Sequence, residues 1–219
     1  MGAASFEKFK RQKPIERDRR INRYVDCIVE KMIPYADSNI RNWEVVVFKD
    51  DSANAFALPG GFIGVHTGML KVARTEEQLA AVIGHEIAHV TARHGAEKVS
   101  SAMAAQFGLA LLQMKTEKEK SQKYYVLGAQ LVTQFAVLMP HGRRQESESD
   151  EIGLYLMAKA GFDPRQAPKL WENMQNSGGS GPPEFLSTHP SHKNRIKNLW
   201  AKMPVALSYY KPKGTQCSR

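Results

Sequence analysis

The run His85-Glu86-Ile87-Ala88-His89 constrains this chain more than any other stretch of it. An α-helix has about 3.6 residues per turn, so residues four apart stand one above the other and His85 and His89 project from one face. Two neutral imidazoles spaced this way make half of a zinc site, and with one carboxylate they leave a fourth position open for water. Glu86 lies beside His85, placed to take that water's proton without being a ligand. The segment must therefore be helical and must meet a third ligand brought from elsewhere. It predicts metal-assisted hydrolysis, with one Zn2+ per chain as the cofactor.

Local signals agree with a helix here. Thr75-Glu76-Glu77 has the form of a helix start with acids in the first turn. Leu79, Ile83, Ile87 and Val90 recur at helical spacing and read as the side facing the core. His85, His89 and Glu86 lie largely off that stripe, toward a partner or a cleft.

An extended version of the motif, with a glycine and a third histidine on the same run, fails. Ala92 stands where the glycine belongs and Gly95 where the histidine belongs. His94 points away from the His85/His89 face if the helix continues, and reads as a surface or helix-end histidine. The acids of Gln145-Glu146-Ser147-Glu148-Ser149-Asp150-Glu151 are better candidates. Glu146 and Asp150 share a helical face, and Gly153, on nearly the same side, would let that helix approach closely. Glu146 is assigned as the third ligand, and Asp150 as the carboxylate that holds a ligand histidine by its other nitrogen. Glu148 and Glu151 face elsewhere and read as solvated.

HEIAHVTARH, followed downstream by ESESDEIGLYLMAKAGFDP, resembles the gluzincin peptidases that include the CAAX prenyl endopeptidase. Within that family it is similar to the soluble-domain members, the mitochondrial Oma protease and the periplasmic beta-barrel assembly-enhancing protease. Asn54-Ala55-Phe56-Ala57-Leu58-Pro59-Gly60-Gly61, with Phe62-Ile63-Gly64-Val65, resembles the strand segment these enzymes carry before the zinc helix. Ser187-Thr188-His189-Pro190, with Arg195 beyond it, resembles their C-terminal signature. The likeness runs from about Ile21 to about Pro204. The family pattern has Ala where this chain has Ser149, a swap expected to leave the ligands undisturbed. The resemblance implies His85, His89 and Glu146 as zinc ligands, Glu86 as general base and Asp150 as the orienting carboxylate. It implies His189 and Arg195 as substrate or transition-state contacts. Some relatives use the histidine of the last motif to cover the metal at rest.

The resemblance and the pattern together imply an α+β, mainly helical, zincin-like metalloprotease domain with a small antiparallel sheet beside the HExxH helix. One domain over 1–219 is expected, with 1–17 a basic, poorly ordered N-terminal segment and 205–219 a basic tail. A helix is read near Asp18–Ile33. Trp43–Phe48 reads as a strand, and Asn54–Leu58 as a second, stopped by Pro59-Gly60-Gly61. If the second strand is an exposed edge beside the cleft, Asn54, Ala55, Phe56 and Ala57 bind polypeptide substrates in extended form by strand addition.

Between Ser100 and Pro140 two apolar runs, Ala102–Met114 and Tyr124–Met139, flank a charged turn. Neither is long and apolar enough to span a bilayer, so they read as a helical hairpin on the core or over the cleft. Asn176–Pro183 reads as a flexible loop. Cys27 reads as a small apolar residue of an amphipathic helix and Cys217 as part of a loose tail, with pairing left open.

A formal net charge of +9 is compatible with an anionic membrane surface, an acidic partner or a plain solvated basic face. No aromatic–basic interleaving points to nucleic acid. No signal peptide or anchor is read in the chain. The resemblance implies a cell-envelope setting, the bacterial periplasm or a membrane-associated place, with the mitochondrial inner membrane as the alternative. Two functional classes follow: a zinc metalloendopeptidase in protein quality control, or a zinc-stabilised chaperone-like binding module with latent or absent cleavage.

Overall fold

The computed structural model describes residues 2–116, 126–130, 133, 139–177, 184–189, 194–214 and 217–218. Asp18 begins the helical body: its side chain accepts from the Arg20 N–H, capping α2 (Arg19–Met32). Tyr24, Val25, Ile28, Val29 and Met32 fall on one side of α2 and are all buried. Three strands follow, β1 (Glu44–Phe48), β2 (Ala55–Leu58) and β3 (Phe62–His66). Their order is β1-β3-β2. β1 runs parallel to β3, with Glu44 opposite Phe62, and β2 runs antiparallel to it, with Ala55 opposite Val65. The sheet is thus mixed rather than purely antiparallel, because β3 inserts between the two strands legible in the sequence. Gly60 and Gly61, at φ 105° and 90°, turn the chain between β2 and β3, a conformation only glycine adopts without strain.

Short α3 (Met69–Val72) leads into α4 (Glu76–Thr91), whose N-cap Thr75 accepts from the Gln78 N–H at 3.3 Å. α4 is the central helix. Glu76 and every residue from Gln78 to His89 are buried, so its sides all meet neighbours rather than one stripe alone. α2, α6 (Met139–Ala160), α7 (Gln166–Asn176) and β2 enclose it. α8 (Glu184–Thr188) and α9 (Arg195–Tyr209) complete the described body.

Three regions differ from the sequence expectation. The N-terminal segment contains a helix, α1 (Gly2–Gln12), not a disordered arm. Phe6 is fully buried there, with ring centroids 5.3 Å from Phe62 and 6.2 Å from Phe48, and such burial is worth about 1.5–3 kcal/mol. The C-terminal tail starts later, after Tyr209, and is tied down by a Cys27–Cys217 disulfide. α5 (His94–Thr116) does not lie against the core: Val99, Met103, Phe107, Leu111 and Met114 are all exposed. Most of the second apolar run, Tyr124–Met139, and the glycine-rich loop at 178–183 lie outside the described residues. Among the described residues no helix is long and apolar enough to cross a membrane.

Candidate metal centre

The site exists because α4 and α6 touch at backbone distance. A Cβ on Gly153 would stand 2.7 Å from the His85 nitrogen, and one on Gly84 would stand 2.9 Å from the Gly153 oxygen. Only hydrogen fits at that crossing. One turn and two turns before Gly153 on α6, Asp150 and Glu146 are therefore delivered to the imidazoles of α4.

His85, His89, Glu146 and His189 are all buried, and their donor atoms lie within 4.8 Å of one another. His85 Nε2 is 3.1 Å from His89 Nε2 and 3.3 Å from Glu146 Oε2. His89 Nε2 is 3.5 Å from Glu146 Oε1. His189 Nδ1 is 3.2 Å from both His85 Nε2 and Glu146 Oε2. Zinc with ligands at about 2.0–2.1 Å needs tetrahedral edges of about 3.3–3.4 Å, so these separations fit. Imidazole nitrogens facing each other cannot all be satisfied by the few protons between them, whereas one divalent cation at their centre satisfies every lone pair. Burial lowers His89 to about 3, so it stays neutral and able to ligate. Burial pushes Glu146 up, but hydrogen bonds from His189, His85 and His89 outweigh it and hold the carboxyl well below the usual range.

Asp150 stands behind His85, with Oδ1 3.1 Å from Nδ1. Burial opposes its charge, yet Arg195 beside it brings its pKa below the ordinary value. Arg195 donates from Nε to Oδ2 at 2.5 Å and from Nη2 to Oδ1 at 2.7 Å, and its guanidinium stacks 3.5 Å from the Trp171 ring centroid. Arg195 is thus buried and clamped to Asp150, with Nη2 also 3.0 Å from His85 Nδ1 and Nη1 3.6 Å from Glu146 Oε2, and it is not among the described residues that line the cavity.

The opposite side of the cluster opens to a cavity of about 400 Å³ lined by Phe56, Ala57, Glu86, His89 and His189, with Arg93 and Lys98 also on its wall. Glu86 Oε2 accepts the Ala57 N–H at 2.9 Å. Its Oε1 is buried without a hydrogen bond among the described residues and lies 3.3 Å from His189 Nε2. Burial pushes Glu86 up to about 7, only partly offset by His189. Of the strand residues named from sequence, Phe56 and Ala57 line the cavity. Asn54 is buried instead, its amide donating to Glu184 Oε1 at 3.0 Å, and Ala55 is buried in the core.

Sequence reasoning missed three contributors. Trp171 carries no motif. Ser149 and His94 meet behind His89, where His94 is 2% exposed rather than a surface histidine. The cause is Arg93, a non-glycine residue at φ 57°, which costs about 1–2 kcal/mol and ends α4 before His94.

An HExxH helix with a glutamate from a later helix, a raised carboxyl beside it and a cleft in front defines the metallopeptidase class. The profile of Peptidase family M48 matches residues 19–202, and the chain belongs to that family. It is 37% identical over 185 residues to the mitochondrial metalloendopeptidase OMA1 of Schizosaccharomyces pombe, covering 84% of this chain and 53% of that protein. With its counterpart from Arabidopsis thaliana the identity is 40% over 161 residues, 72% of this chain and 31% of the relative. With the beta-barrel assembly-enhancing protease of Escherichia coli it is 28% over 192 residues, 84% and 39%. The chain therefore spans about half or less of the length of these relatives.

Proposed function

We propose that this chain is the peptidase domain of a zinc metalloendopeptidase in which His85, His89 and Glu146 hold one Zn2+ and Glu86 is the general base. The observation that carries the reading is the convergence of buried donor atoms on one point beside the raised Glu86 carboxyl. When bound, the ion lowers the pKa of a water toward about 7 and polarises the scissile carbonyl. Glu86 takes the water's proton at Oε1, the oxygen without a hydrogen bond, while Ala57 N–H holds Oε2 in place. A carboxyl near 7 can then pass that proton to the leaving amine. β2 is a sheet edge, and Asn54 O already accepts from His66 N–H on β3, so Ala57 turns its backbone away from β3: its N–H is held by Glu86 Oε2, and its carbonyl is the group that can accept from a substrate. An extended polypeptide can pair there and place a side chain in the cavity.

Arg195 acts as a positioning residue, holding the Asp150 carboxylate and lying directly against the His85 ring. His189 Nδ1 stands at the fourth corner of the donor set. This supports a latent resting state in which α8 must give way before water and substrate enter. The family resemblance extends the proposal to unfolded, misassembled or envelope proteins in quality control, in the periplasm or at a membrane, with the mitochondrial inner membrane as the alternative; relatives named a mitochondrial metalloendopeptidase and a beta-barrel assembly-enhancing protease support it. The net charge of +9 supports contact with an anionic membrane surface.

The test is casein cleavage by the zinc-loaded chain, with Glu86→Gln and chelated protein beside it. Glu86→Gln is expected to keep zinc and lose cleavage by about 10²–10⁴-fold. Equal activity in that variant would sink the mechanism. His189→Ala is expected to raise basal cleavage if the cap is the block.

A further inference from the structure

The two histidine ligands of the proposed centre are backed differently. His85 turns its Nδ1 to the Asp150 carboxylate. His89 turns its Nδ1 to another imidazole: His94 Nδ1 is 3.0 Å away, with ring centroids 4.9 Å apart. Ser149 Oγ lies 3.2 Å from the same His94 nitrogen, and Glu148 Oε2 lies 3.6 Å from His94 Nε2 on the far side of the ring.

A straight continuation of α4 would carry His94 around the helix and away from His89. The left-handed turn at Arg93 prevents this, so α5 starts in a new direction with His94 folded back over the ligand. A non-glycine residue in that conformation at the edge of a site is the kind of strain that the surrounding contacts must sustain. What it delivers here is a single buried contact between two ring nitrogens.

From this geometry we infer that His94 is a positioning residue that sets the tautomer and orientation of His89. This rests on the reading of His89 as a metal ligand through Nε2. A neutral imidazole that offers Nε2 to a cation carries its proton on Nδ1. That proton needs an acceptor, and His94 Nδ1 is the atom in line to accept it. His94 then carries its own proton on Nε2, facing the Glu148 carboxylate; its Nδ1 has one lone pair, so the nearer His89 N–H takes it and Ser149 Oγ stands beside that bond as a packing neighbour. The result is an N–H···N relay from α4 to α5, in which a neutral ring does for His89 what a carboxylate does for His85. Partners of this kind tune metal affinity as well as geometry.

The test compares zinc affinity, by competition with a chelator, in wild type, His94→Gln and His94→Phe. Gln offers a carbonyl acceptor, whereas Phe fills the space without one. His94→Phe is expected to raise the zinc Kd about 10–100-fold, and His94→Gln to stay near wild type. Wild-type affinity in His94→Phe would overturn the inference. So would equal weakening in both variants. A second measurement needs no variant. In zinc-loaded, ¹⁵N-histidine-labelled wild type, a coupling across the hydrogen bond between the two Nδ1 atoms is expected, and its absence would overturn the relay. A wild-type chain that binds no zinc would instead defeat the metal-centre reading itself, a separate outcome.

Discussion

Glu146 and Glu148 are near neighbours on α6 with opposite surroundings. The Glu146 side chain is 4% exposed and faces three imidazoles, whereas that of Glu148 is 47% exposed and 3.6 Å from His94. Glu146→Ala is therefore expected to lower zinc affinity by well over an order of magnitude, and Glu148→Ala by no more than a few-fold. Inductively coupled plasma measurement of zinc per chain after dialysis checks the ranking, and a reversed order would mean the wrong carboxylate was assigned. That His85 and His89 share one face of α4, and Glu146 and Asp150 one face of α6, was legible because spacing along a helix decides which side chains lie together. His94 was not, because its position depends on one backbone angle at Arg93 that no residue pattern announces. Arg195 entered through the resemblance, as a substrate or transition-state contact, and a motif does not show that Asp150 and Trp171 hold its guanidinium beside His85.

At the scale of elements, the α4–α6 crossing is what the proposed metal centre stands on. Gly153→Ala would force a methyl group into the backbone of His85, and overpacking of this kind typically costs about 1–3 kcal/mol. The helices must part, so the variant is expected to show a lowered melting temperature together with weakened zinc binding. Unchanged zinc affinity would show that the carboxylates reach α4 without that contact. The sequence pointed to this crossing through a glycine on the same side as Glu146 and Asp150. It was silent on α5. The spacing of Val99, Met103, Phe107 and Leu111 shows an apolar side of a helix, but spacing does not say what covers that side, and here it is exposed. It was likewise silent on β3 lying between β1 and β2, since strand order depends on long-range pairing. α1 was overlooked because its basic residues outnumber the two phenylalanines, Phe6 and Phe9, that pack it on the sheet.

For the molecule as a whole, length and composition marked a chain able to bury a core without cross-links, and nothing in them said that Cys27 and Cys217 meet. The structure joins them across a sequence separation of 190. Closing so long a loop typically adds about 2–5 kcal/mol against the unfolded chain. Replacing both cysteines by serine is expected to lower the melting temperature by roughly 4–20 °C, measured by calorimetry against the oxidised wild type. An unchanged transition would mean that the bond is absent in solution or that the loop contributes nothing. The bond is expected to persist only in an oxidising compartment. It has another consequence, because nearly the whole chain lies between the two sulfurs. A single cut anywhere in that span, by another protease or by a second copy on the exposed α5, releases no fragment. The nicked chain stays one covalent molecule until its disulfide is reduced, so damage would go unseen on a gel run without reductant.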